Sequence, residues 1–230
     1  MKSNTNSASV LRSQIQKLCV AAIFMAMTVA LSSFGIPVPG GHLYLNDIVI
    51  CTAAIILDPF YAFVAGGVGA FLGDLLFYPT PMFVSLATHG LQAVVISIFS
   101  HYIMKDRRVL ASGIGVAIGA VIMVVGYSLG RAFIYSTPEY AVLKLPYQIL
   151  QAVVGAVVGM LLCWKCNLVK IYENTQKKYA PKKPATVEAS TEPTAETTVK
   201  TTVETAAEEN LKTDKTASDK NEKANSTENK

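Results

Sequence analysis

The side chains able to do chemistry in this chain of 230 residues are few, and they interrupt apolar runs. Asn46 and Asp47 open one run, and Asp74 lies near the end of the next. Thr88, His89 and Gln92, spaced three and four apart, share one helix face. Arg131 lies late in a long run that also holds Tyr127, while Tyr147, Gln148 and Gln151 open the last one. In hydrocarbon such groups cost enough free energy that they face a cavity or a partner. Two chemistries fit. One is a pocket of aromatic walls and a few placed polar groups, suited to a small polar heteroaromatic ligand. The other is structural, an ion pair of Asp47 or Asp74 with Arg131 or His89 that holds helices together. Asn46, Asp47, His89, Gln92, Tyr127, Arg131, Tyr147, Gln148 and Gln151 are the pocket candidates.

Three motifs suggest other chemistry and fail on context. Gly126-Tyr-Ser128-Leu-Gly130 has the G-x-S-x-G form of a serine nucleophile, and His89 would be its base. That elbow needs a strand–turn–helix corner, whereas these residues continue an apolar helical run, so helix packing is favoured over an intramembrane serine hydrolase. Cys163-Trp-Lys-Cys166 has neither the βαβ setting of a redox pair nor a second ligand pair for a metal. Gly66-Gly-Val-Gly69 lacks a preceding strand and a following Lys-Ser/Thr, so no ATPase site is expected. No metal, cofactor or enzymatic activity is predicted.

The elements that must position these residues follow from composition. Residues 1–180 carry 12 Lys/Arg against 6 Asp/Glu, while residues 181–230 carry 8 Lys against 10 acids and few apolar side chains. A soluble domain needs more surface charge than the first segment has, so a soluble enzyme is close to excluded. The last segment cannot bury enough apolar surface to fold alone. The reading is an all-α membrane protein: a cytoplasmic segment (1–17), a bundle of six transmembrane helices (18–165), a basic juxtamembrane segment (166–180) and a disordered tail (181–230). The helices are expected at 18–34, 45–57, 60–78, 83–104, 109–135 and 145–164, with breaks at the Pro/Gly stretch 35–41, at Asp58-Pro59 and at Pro79-Thr-Pro81. Arg12, Lys17, Lys105, Arg107, Arg108, Lys165 and Lys170 then fall on one side, which the positive-inside rule makes cytoplasmic, with both termini. Small residues at helical spacing recur as Gly69/Gly73, Gly115/Gly119, Gly126/Gly130 and Gly155/Gly159, expected to pack helices within the chain. The stripe Ala22, Ala26 and Ala30 could equally dock another membrane protein.

Leu45-Asn-Asp-Ile-Val-Ile-Cys51, the run from Asp58-Pro-Phe-Tyr to Gly73-Asp74, and Thr88-His-Gly-Leu-Gln92 together resemble the substrate-binding S components of energy-coupling factor (ECF) transporters, of the riboflavin-type group. Leu143-Lys-Leu-Pro-Tyr-Gln-Ile-Leu-Gln151 resembles the start of that family's sixth helix, where an Asn more often stands at the position of Tyr147 or Gln148. The likeness spans residues 14–165. It implies a plasma-membrane capture subunit for riboflavin, a pyridoxine-like compound or a pyrimidine precursor. It further implies docking through Ala22, Ala26 and Ala30 onto a transmembrane coupling protein driven by two cytoplasmic ATPases, and a lid at residues 37–44. Nucleic acid is not an expected partner. The alternative class is a self-sufficient secondary transporter or channel, which usually shows two similar halves with broken helices; helices 1–3 and 4–6 show no convincing repeat.

Overall fold

The computed structural model describes residues 3–179. The expected disordered tail lies outside the described residues. Helix α1 is Ser3–Ser32, α2 Asn46–Ile56, α3 Pro59–Phe77, α4 Met82–His101, α5 Arg108–Tyr135, α6 Pro138–Trp164 and α7 Leu168–Tyr179. Five of them (Val10–Ser32 of α1, then α3 to α6) are long and apolar enough to cross a membrane. Helix α2 has 11 residues and so spans about 16 Å, roughly half a hydrocarbon core. Helices α1 to α6 form a multi-pass membrane bundle of six helices, one of them short, and α7 follows it.

The short helix is the hub. Every residue of α2 except Ile48 is buried, and α1, α3, α4 and α6 pack around it. Exposed large apolar side chains such as Val121, Val125, Phe133, Val153 and Leu161 cover the outside of the bundle, as lipid contact requires. Glycines bring the helix backbones together. A Cβ on Gly155 of α6 would lie 2.6 Å from the Asp47 Cβ of α2, and one on Gly67 of α3 would lie 2.8 Å from the Gly90 Cα of α4. Gly69 and Gly73 meet Thr28 and Ser32 of α1, while Gly115, Gly119, Gly126 and Gly130 meet α4. The glycine pairs pack within the chain.

Helix α1 begins at Ser3, within the segment expected to precede the first helix, α7 occupies the expected juxtamembrane segment, and the starts of α3 and α6 also differ from the expected bounds. Pro59 takes the first position of α3, where its missing N–H costs nothing. Helix α6 likewise begins at Pro138, seven residues before the expected start at 145, with Thr137 as its N-cap and Glu139 in its first turn. Pro146 is carried inside the helix. Helices α3 and α5 each contain one π turn, at Val64–Val68 and Arg131–Tyr135, and the second re-aims the last turn of α5.

Between α1 and α2 lies a small antiparallel hairpin, β1 (Ile36–Val38) with β2 (Gly41–Leu43). Its two-residue connection is Pro39-Gly40, with Gly40 at φ +83°, the conformation that the third position of a type II turn demands. The hairpin lies in the segment expected to act as a lid. It marks the hairpin end of the bundle.

Candidate functional site

Asp47, on the first turn of the buried helix α2, organises the hairpin end. One carboxylate oxygen accepts from Gln151 Nε2 of α6 at 2.6 Å, and the other accepts from Gln92 Nε2 of α4 at 3.3 Å. Gln92 Oε1 can only accept, so the His89 Nδ1 at 2.7 Å carries the proton. The same Nδ1 lies 3.7 Å from Asp47. Gln151 Oε1 in turn accepts the Tyr44 backbone N–H at 3.1 Å, which fixes the chain just before α2. One carboxylate thus ties α2, α4, α6 and the base of the hairpin together. Gly155, one turn beyond Gln151, lets α6 come close enough for these bonds to form.

A second group crosses from α3 to α5. Ser85 donates to the Asp74 carboxylate, which leaves its oxygen to accept from the Tyr127 hydroxyl at 2.5 Å. The Tyr127 ring stands edge-on to His89, with centroids 5.2 Å apart. The third group holds the hairpin. Arg131 Nη1 donates to the Gly40 carbonyl at 2.6 Å, and Lys144 Nζ donates to the His42 carbonyl. The Arg131 guanidinium also sits 5.3 Å from the Tyr135 ring centroid, and the Lys144 ammonium 5.9 Å from that of Tyr44. Burial raises the Tyr44 phenol to about 12, with the Asp74 carboxylate adding to the effect, so it stays protonated.

These groups enclose a cavity of about 30 Å³. Six of the nine expected residues line it: Asn46, His89, Tyr127, Arg131, Gln148 and Gln151. Asp47 and Gln92 stand behind that wall and bond to its members. Tyr147 is half-buried and is not part of the lining. Gln148 Nε2 donates to the Val124 carbonyl at 2.9 Å. Of the two structural pairings considered, Asp47 does approach His89, but Arg131 meets carbonyl oxygen rather than a carboxylate.

The lining also includes Tyr44, Asp74, Tyr135 and Lys144. Lys144 is the instructive omission, having been placed in a connection. With α6 starting at Pro138, Lys144, Gln148, Gln151 and Gly155 fall at i, i+4, i+7 and i+11 on one face; Thr137-Pro138-Glu139 was the helix-start signal that would have shown it. Three lining residues have a buried polar atom without a partner: Asn46 Oδ1, Arg131 Nε and the Tyr135 hydroxyl.

The Ser128 hydroxyl donates to the Val124 carbonyl of its own helix at 2.6 Å, and Ser128 does not line the cavity that holds His89. Cys163 is buried against the Thr52 carbonyl while Cys166 is exposed, and both thiols are free.

A family model described as "ECF-type riboflavin transporter, S component" matches residues 12–168 of the chain. A protein of Pyrococcus woesei described as "Uncharacterized protein in gap 3'region" is 34% identical over 136 residues, covering 58% of this chain and 89% of that protein.

Proposed function

The chain belongs to the family of S components of ECF-type riboflavin transporters, and on that premise we propose that its lidded cavity captures a small heteroaromatic vitamin or vitamin precursor. The family is one of transport subunits, not of enzymes. One observation carries the reading: buried polar side chains from α2, α3, α4, α5 and α6 converge on a single enclosed cavity, and three of them have atoms without partners. A dry bundle has no use for such groups, because each unmade bond costs about 1–3 kcal/mol. Stacking surface comes from Tyr44 and Tyr127, and the amides of Asn46, Gln148 and Gln151 both donate and accept, as ring nitrogens and carbonyls require.

A space of about 30 Å³ holds one or two waters, so a heteroaromatic ring enters only when the hairpin lifts. Lifting breaks the bonds of Arg131 to Gly40, Lys144 to His42 and Tyr44 to Gln151. With no ATP-binding motif in this chain, energy comes from partners: a transmembrane coupling protein and two cytoplasmic ATPases. Ala22, Ala26 and Ala30 lie on an exposed stripe of α1, while Ala21 and Thr28 face the bundle, so the smooth stripe is free for that coupling protein. Arg12, Lys17, Arg107, Arg108 and Lys165 gather at the end away from the lid, and by the positive-inside rule this supports a cytoplasmic position for that end and for both termini.

Mass spectrometry of the small molecule retained by detergent-purified protein, with binding across a panel of riboflavin, pyridoxine-like compounds and pyrimidines, tests the capture role. Retention of one of these is expected, and no binding across the panel would end this reading. For docking, Ala26→Leu should abolish co-purification with the coupling protein and leave ligand binding intact; unchanged assembly would remove the stripe's assigned role.

A further inference from the structure

Arg131 and Lys144 are buried, with 7% and 6% of their surface exposed, yet neither has a carboxylate within 4.0 Å among the described residues. Each donates to a backbone carbonyl of the hairpin, which is a dipole and not a charge. Burying two cations that way is costly without an anion. The site's own carboxylates face elsewhere: Asp47 accepts from two glutamines through both oxygens, and Asp74 accepts from Ser85. The two cations also converge. A Cβ on Gly41 would lie 3.2 Å from Arg131 Nη1 and 3.5 Å from Lys144 Cδ, so both side chains border one point beneath the hairpin. Like charges held that close repel, and Arg131 Nε, buried and unpartnered, still has a bond to give.

We infer that the captured ligand carries an oxyanion, a carboxylate or a phosphate ester, and that Arg131 and Lys144 receive it directly beneath the hairpin. This rests on the capture reading above and narrows it to anionic heteroaromatic compounds. The guanidinium presents paired N–H groups to two oxygens, and the ammonium closes on the same group from α6. Across the cavity, the unpartnered Asn46 Oδ1 accepts from a ring N–H or hydroxyl. The competing role for the two cations is to latch the hairpin alone, and that role makes no distinction between charged and neutral ligands.

Isothermal titration of the full-length protein in detergent with matched pairs separates the two. The probes are riboflavin against riboflavin 5′-phosphate, pyridoxine against pyridoxine 5′-phosphate, and uracil against uracil-6-carboxylate. In at least one pair the anionic member should bind about tenfold tighter or better, and which pair responds tells carboxylate from phosphate. Arg131→Gln and Lys144→Met should each shrink that ratio, while the wild-type ratio alone decides the matter if either variant fails to fold. A neutral member binding as tightly as its anionic partner overturns the inference and leaves the capture reading standing. No binding by any of the six defeats both.

Discussion

The two ends of the bundle handle charge in opposite ways. Away from the hairpin, Lys17 meets Asp58 at 2.5 Å and Arg108 meets Glu173, both pairs partly in solvent. At the hairpin end, Arg131 and Lys144 are buried and donate to backbone carbonyls, while Asp47 and Asp74 are held by amides and a hydroxyl. Opposite charges paired near water contribute about 0–1 kcal/mol and can be exchanged with little consequence. Charges sorted into separate buried groups around a cavity do not add up as fold-stabilising devices. Their arrangement makes sense as a preformed complement to something polar that binds between them.

The sharpest way to break this contrast is at its centre. Asp47→Ala removes the acceptor shared by Gln92 and Gln151, leaving two buried amides unsatisfied. It should cost roughly 3 kcal/mol in thermal unfolding of the purified protein and abolish ligand binding in titration; retention of full affinity would show that the α2 carboxylate does not organise the site. Next in size is Gly155→Ala. Its new methyl would sit 2.6 Å from Asp47 Cβ, so α2 and α6 must separate at an expected cost of about 2 kcal/mol, with weakened binding. Gly40→Ala sharpens the lid side of the comparison. At φ +83° and with its Cβ 3.0 Å from that of Lys144, the alanine strains the turn by about 1 kcal/mol. Its effect should appear as faster ligand dissociation with little change in unfolding temperature, and an unchanged dissociation rate would count against a closing hairpin. Smallest of all is Arg108→Ala at the opposite end, with under about 1 kcal/mol lost and affinity unaltered. A large loss of binding there would dissolve the distinction between the two ends.

Much of the bundle was legible because apolar runs and Asp58-Pro59, Pro79 and Pro81 mark helix limits regardless of packing. The polar residues of α2 and α4 were legible for a similar reason: a charged or amide side chain in an apolar run announces itself. Lys144 was not, because a lysine two residues before a proline reads as a connection, and only the start of α6 at Pro138 turns it inward. Tyr135 and Arg131 owe their aim to a π turn, which leaves no mark in residue spacing. Asp74 was visible as a polar residue, but its partner Ser85 is a common helix residue whose neighbours only the packing of α3 on α4 decides. The strands of the hairpin are three residues each, too short for alternation to show.

The hairpin is gripped through the main-chain oxygens of Gly40 and His42, and of its side chains the His42 ring meets the bundle, edge-on to Tyr78. A cover held by its backbone is indifferent to much of its own spelling. Exposed Ile36 and Pro37 should therefore accept wide replacement in a saturation library selected for ligand capture, whereas Gly40 and Gly41, both at positive φ, should tolerate almost none. Sequence drift over time would then polish the outside of the cover freely while leaving the two glycines of its turn untouched.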